Sequence, residues 1–254
     1  MKITFLGTGT SQGIPVIGCN CETCRSTNAK DKRLRTAVLV ETQGRTLVID
    51  TGPDFRQQML RANVSKVDAV LLTHEHNDHI IGIDDVRPFN FRYKMDMPVY
   101  AEQRVLSNIE ERFSYIFKST YPGVPRLVMH PISKNEPFEV FEIPIIPIEV
   151  LHYKLPVLGY RFGNFTYLTD VKTISETELR KTFDSDVLVI SALHKKEHIS
   201  HLSLSEALDL IKIIQPKQAY LIHFSHRMGL HDSVLKELPS NVSIAYDGMV
   251  IEVN

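Results

Sequence analysis

The sequence predicts an α/β protein whose two similar halves, each a set of strands followed by helices, pack as one domain over residues 1–254. Three observations predict it. Short apolar, β-branched runs alternate with stretches of helical spacing. No Pro/Gly/Ser linker, low-complexity tract or residue-level repeat divides the chain, and at 43% hydrophobic content it can bury a sizeable core. Four apolar runs end in a metal-ligand side chain, at His74, His152, Asp170 and His223. One such ending is ordinary; four suggest a single site along a sheet edge.

Residues 2–6 read as a strand, closed by the run Gly7-Thr8-Gly9-Thr10-Ser11-Gln12-Gly13. That run lacks the Lys-Ser/Thr of a P-loop and no helical pattern follows it, so a tight turn fits better than a phosphate cradle. Next, Cys19-x-Cys21-x-x-Cys24 sets three thiolates at a spacing that can wrap one zinc ion. A closed tetrahedral site needs a fourth ligand from elsewhere, and three free buried thiols are the alternative. Residues 37–41 and 46–50 form a hairpin across Gly44, and residues 54–61 have helical spacing through Phe55, Met59 and Leu60. Asp50, at a strand end, suits either a helix cap or a partner that orients a metal-bound histidine.

The apolar run Ala69-Val70-Leu71-Leu72 leads into Thr73-His74-Glu75-His76-Asn77-Asp78-His79. Extended backbone would point His74 and His76 the same way and turn Asp78 and His79 elsewhere. Neutral imidazole and carboxylate are the ligands of open, water-holding sites for zinc-like ions, so the stretch reads as half of a two-metal centre. Further on, residues 103–117 look helical and Tyr121-Pro122-Gly123-Val124-Pro125 breaks them. Strands are expected at 127–129, 138–141, 143–150, 165–168 and 187–191. Ser203-Leu204-Ser205-Glu206 is a capping box for a helix with Leu204, Ala207, Leu208, Ile211 and Ile214 on one face. A last strand, 218–222, stops at His223.

With 29 basic and 30 acidic residues the net charge is −1, and no Lys/Arg block marks a face for a nucleic-acid duplex or an anionic membrane. A small phosphate ester stays possible. There is no signal-peptide core and no run of membrane-spanning length, so the cytoplasm is the expected location, where three cysteines stay reduced.

His74-Glu75-His76-Asn77-Asp78-His79, with His152, Asp170 and His223 at strand ends, resembles the metallo-β-lactamase superfamily. The opening Thr4-Phe5-Leu6-Gly7-Thr8-Gly9, the three cysteines, His223-Phe224-Ser225-His226 and Tyr246-Asp247-Gly248-Met249 are similar to its phosphoribosyl 1,2-cyclic phosphodiesterases (PhnP-like), end to end. The resemblance implies an αββα four-layer sandwich with a dinuclear metal site at one edge. It implies that His74, His76 and His152 hold one divalent ion, zinc or manganese, that Asp78, His79 and His223 hold the other, and that Asp170 bridges them. It supplies His226 as the fourth ligand of a structural zinc on Cys19, Cys21 and Cys24.

The implied activity is phosphodiester hydrolysis of a small or cyclic phosphate ester through a metal-bridging hydroxide. The catalytic residues it points to are His201, as proton donor to the leaving alkoxide, and Asp78, a ligand first. His130, His194, His198 and His231 read as solvated or packed histidines. Relatives suggest a homodimer. Ribonuclease Z-like RNA processing is a competing reading, disfavoured by the near-neutral charge, and a PqqB-like binding or carrier protein is another.

Overall fold

The computed structural model describes residues 1–254 and contains two β-sheets. In the first, β1 (Lys2–Gly7) lies between β15 (Val250–Glu252) and β2 (Ala37–Thr42), followed in order by β3 (Arg45–Ile49), β4 (Ala69–Leu71), β5 (Met97–Ala101) and β6 (Leu127–Pro131). Pairing is antiparallel from β15 to β3 and parallel from β3 to β6. The second sheet comprises β7 (Phe138–Val140), β8 (Ile143–His152), β9 (Leu155–Phe162), β10 (Phe165–Leu168), β11 (Thr173–Ile174), β12 (Val187–Ser191), β13 (Gln218–Ile222) and β14 (Val242–Ile244). It repeats the scheme: β7 to β11 pair antiparallel, and β10, β12, β13 and β14 run parallel.

Strand alternation builds the layers. Leu47 and Ile49 face the other sheet, while Val48 between them faces helices; Val189 and its neighbours Leu188 and Ile190 divide in the same way. The central core is therefore shared between sheets, with Phe5, Val38, Val40 and Leu71 meeting Leu158, Tyr160, Phe162 and Tyr167. One outer core joins the first sheet to helices Phe55–Arg61 and Gln103–Arg112, through Phe55, Met59, Val105 and Ile109. The other seats helix Leu204–Ile214 on the second sheet through Leu204, Ala207, Ile211 and Ile214. The result is the αββα sandwich. Both faces of these strands are covered, which is why they read as nearly continuous apolar runs.

Several elements differ from the sequence reading. Strand β4 ends at Leu71, and the histidine cluster leaves extended structure at His76, which starts a one-turn helix, Asn77–Ile80. The helix expected over 103–117 breaks at Phe113 (φ −108°, ψ 36°) into Gln103–Arg112 and Ser114–Lys118. Strands β5, β9, β11, β14 and β15 are additional to those expected: the last three are only two or three residues long, and Pro98, Pro156 and Gly159 interrupt the apolar pattern of β5 and β9. Gly159 is required there: a Cβ would lie 2.6 Å from the Tyr167 carbonyl oxygen on β10.

The glycine run is structural. Its amides are committed within the fold: Gly9 N–H donates to Leu34 O, Thr10 N–H to Phe224 O and Gly13 N–H to Thr10 O. The capping box forms as read, with Ser203 accepting from Glu206 N–H, and the helix closes at left-handed Gln215 before Pro216. No helix is long and apolar enough to cross a membrane.

Candidate metal centre

Five chain segments meet at one edge of the sandwich. His74 and His76 follow β4, Asp78 and His79 lie in the one-turn helix, and His152, Asp170 and His223 stand at or just beyond the ends of β8, β10 and β13. Asp170 (φ 53°), His223 (φ 63°) and Asp50 (φ 67°), beyond β3, all adopt left-handed backbone, where side chains other than glycine are uncommon. Each turns the chain sharply at a strand end. Such backbone persists where surrounding structure holds it, and it gathers at functional sites. The close approach of Gly52 to the Asp78 carbonyl, 2.1 Å from where a Cβ would stand, seats the one-turn helix against the loop after β3.

The expected residues converge. His74 Nε2 lies 3.0 Å from His76 Nδ1, and the His76 and His152 rings are 5.2 Å apart. Asp170 stands between the two halves: its Oδ2 is 3.1 Å from His79 Nε2 and its Oδ1 is 3.3 Å from His223 Nε2. Asp78 Oδ2 is 3.3 Å from His79 Nε2 and 3.9 Å from His223 Nε2. Three sets of side chains, His74/His79/Asp170, Asp78/His79/His223 and His152/Asp170/His201, each bring their ligand atoms within 4.8 Å of one another; the second is one of the expected trios, whereas His74, His76 and His152 do not group so tightly and His76 joins none of the three sets.

This donor set fits divalent ions. Neither His79 Nε2 nor His223 Nε2 has a hydrogen-bond partner although both are buried, so the carboxylate oxygens beside them are close but misaligned for hydrogen bonding. Atoms that crowd a common point without bonding each other are arranged as ligands. The opposite ring edges are fixed. His79 Nδ1 meets Asp50 Oδ2 at 2.6 Å, and Asp50 also accepts from Thr73 N–H and Oγ1–H. His152 Nδ1–H donates to Ser200 O at 2.8 Å, which leaves Nε2 for the centre. Of the two tasks open to Asp50, the structure chooses the orienting one; at helix Phe55–Arg61 the N-cap residue is Asp54, with no side-chain cap bond.

The electrostatics agree with this geometry. Burial opposes charge on His79, but Asp78, Asp50 and Asp170 outweigh it and raise the imidazole well above its ordinary range. Burial likewise opposes charge on Asp170, yet His223, His79 and His74 hold its carboxyl well below the usual range. Burial depresses His74 and His152. His74 and His152 are therefore neutral and Asp170 ionised at pH 7, the protonation states a cation requires, whereas His79 carries a proton that an ion at its Nε2 would have to displace.

A second cluster lies nearby. His226 Nδ1 is 3.2, 3.3 and 3.6 Å from the sulfurs of Cys19, Cys21 and Cys24, and all four ligand atoms lie within 4.8 Å. The Cys24 N–H lowers the Cys21 thiol to about 6, whereas burial raises Cys24 to about 11. Three cysteines and a histidine in tetrahedral reach suit a structural zinc ion.

His201 sits over the centre, its Nδ1 3.5 Å from Asp170 Oδ1 and its ring 4.3 Å from His152 and 5.0 Å from His223. Two histidines read as bland lie closer than expected. His198 is 5.3 Å from the His201 ring, and buried His194 packs against His198; both line a cavity of about 240 Å³ with His201, Ser225 and Arg227. Only the fold of the loop 192–202 brings them there. His130 stacks on Tyr100 and His231 packs on Tyr246, as packed histidines do.

Known proteins place this edge in context. The family described as "Beta-lactamase superfamily domain" matches residues 45–224. A Porphyromonas gingivalis protein named octanoyltransferase is 42% identical over 252 residues, covering 98% of this chain and 51% of that protein. The chain thus spans about half the length of the curated relatives it matches first. Among solved structures, a diphosphatase from the PhnP family superposes with a TM-score of 0.93 at 36% identity, over 100% of this chain and 98% of that one. Zinc-bound PqqB from Methylobacterium extorquens shares the fold, with a TM-score of 0.83 at 17% identity over 100% of both chains. With the family match covering most of its length and the same sandwich in its structure, the chain belongs to the metallo-β-lactamase superfamily and, within it, to the PhnP family.

Proposed function

We propose that the protein is a dinuclear metal-dependent phosphodiesterase acting on a small, anionic phosphate ester. The observation that carries this reading is Asp170, whose two carboxylate oxygens face different histidines at the junction of the ligand sets. His74, His76 and His152 would hold one ion, Asp78, His79 and His223 the other, with Asp170 shared. Bound there, two ions supply Lewis acidity and water activation near neutral pH. The chain's own groups do the rest. Asp50 and Ser200 fix the orientations of His79 and His152. The cavity beside His201 offers His194, His198, Gln12, Ser225 and Arg227, with Lys196 next to it, and has no acidic residue in its lining; Lys195 beside it is paired with Glu237. Such a rim suits an anion, and its size suits a small ester better than a folded RNA.

Purified protein should hold about three divalent ions per chain and hydrolyse bis(p-nitrophenyl) phosphate. Full loading without diesterase activity would refute the reading, and cleavage of a precursor tRNA faster than small diesters would shift it to RNA processing. A second reading, function beside acyl transfer, is favoured by the 42% match to half of a protein named octanoyltransferase. Hydrolysis of an octanoyl thioester to octanoate and free thiol, with no diester hydrolysis, would select a thioesterase serving such a transferase.

The thiolate cluster adds a coupled expectation. Because His223 and His226 stand three residues apart on one segment, Cys21→Ser should free the zinc and lower turnover about tenfold through a displaced His223. Metal analysis beside turnover checks it; unchanged turnover with one ion lost would show the clusters to be independent.

A further inference from the structure

We propose that Arg104 is a positioning residue that sets the spacing of the three-histidine half of the centre, His74, His76 and His152; this rests on the metal-binding reading above. Glu75 lies between His74 and His76, and while the two imidazoles come together its side chain reaches the other way and pairs with Arg104. The same guanidinium donates from Nη2 to the Pro156 carbonyl at 2.7 Å. Pro156 belongs to β9, whose residue Leu155 is paired with His152 across the β8–β9 turn. One guanidinium, ion-paired to Glu75 and hydrogen-bonded to Pro156, thus ties the segment carrying two of the histidines to the hairpin carrying the third, across the two sheets.

Arg104 is itself well anchored. It occupies the first turn of helix Gln103–Arg112, and Glu102 Oε2 stands 3.3 Å from its Nη2. At the far end of that helix Arg112 donates to Asn77 Oδ1, so the helix holds the histidine loop at two points. Two further bonds link the same pair of segments, Leu158 N–H to Thr73 O at 3.0 Å and Tyr160 O–H to Leu72 O at 2.6 Å. These fix the loop's base. Thr73 Oγ1 and Ser200 O each hold one imidazole, His74 and His152, whereas the Glu75–Arg104–Pro156 bridge links the two segments beside the imidazoles.

Asp50 orients His79 directly and reaches His74 only through Thr73, whereas the bonds of Arg104 go to Glu75, Glu102 and Pro156 and to none of Asp78, His79 and His223. An asymmetric effect is therefore expected. A cobalt titration reads it: thiolate charge-transfer bands report the cysteine cluster, and ligand-field bands report the two ions of the centre. In Arg104→Met the affinity for one of those two ions should fall about tenfold or more, while the second ion and the cysteine cluster titrate as in the parent protein. Glu75→Gln should reproduce the loss, and the double variant should be no worse than either single one. Arg104→Lys, which carries the charge without the fork, should recover only part of it.

Arg180→Met, which removes a surface charge whose partner is one turn away, should titrate as the parent does. An Arg104→Met variant whose three affinities all match those of the parent would overturn the proposal, as would a fall in all three affinities together with the melting temperature, which marks a merely structural residue. A parent protein that takes up no ion at the centre would overturn both this inference and the metal reading. A parent that binds normally, alongside an Arg104→Met variant that matches it, would overturn this one alone.

Discussion

Replacing Asp170 by Asn is expected to remove at least one ion of the centre and lower turnover about a thousandfold or more, the scale of several kcal/mol of metal assistance. The substitution keeps size and shape, so the core should survive. It changes what the position offers, because an amide has one acceptor oxygen and no charge where the carboxylate presents Oδ2 to His79 and Oδ1 to His223. It also removes one of the carboxylates that hold His79 in its charged range before metal binds. Metal content per chain and steady-state hydrolysis of a diester should fall together. An Asp170→Asn protein that retains both ions and its turnover would show that the carboxylate is not shared.

His201→Ala should lower turnover about a hundredfold on an ester with a poor leaving group, within the range of general acid catalysis, and only slightly when p-nitrophenolate leaves. An alkoxide must be protonated as it departs; p-nitrophenolate need not be. Burial pushes His201 down to about 3 despite the Asp170 carboxylate beside it, so the imidazole is neutral at pH 7 in the free protein. An anionic ester bound against it provides the counter-charge that burial withholds and lifts it toward the range in which it donates a proton. The difference between substrates is therefore the informative quantity. Equal losses with good and poor leaving groups would assign His201 to binding rather than to proton transfer.

The sequence alone determined two α/β halves and a set of candidate metal ligands, and its resemblance to the metallo-β-lactamase superfamily supplied the αββα sandwich. Strands covered on both faces must be apolar throughout, and strand ends that carry His or Asp stand out against that background. His74, His152, Asp170 and His223 were legible for this reason, and the dense run from His74 to His79 pointed to the same chemistry. Two strands were lost where Pro98, Pro156 and Gly159 broke the pattern, although their pairing in the sheet tolerates all three.

Only the tertiary structure decided what surrounds the ligands. Asp50 could have been a helix cap or an orienting partner until β3 and β4 set it 2.6 Å from His79. His194 and His198 read as solvated or packed histidines, and only the fold of the loop 192–202 sets them beside His201. Glu75 and Arg104 lie 29 positions apart and Arg104 and Pro156 lie 52 apart, with nothing in their spacing to link them. The physical reason is common to all of these. A ligand type is a property of one side chain and its local backbone, whereas orientation, burial and charge balance are properties of what packs against it from elsewhere in the chain.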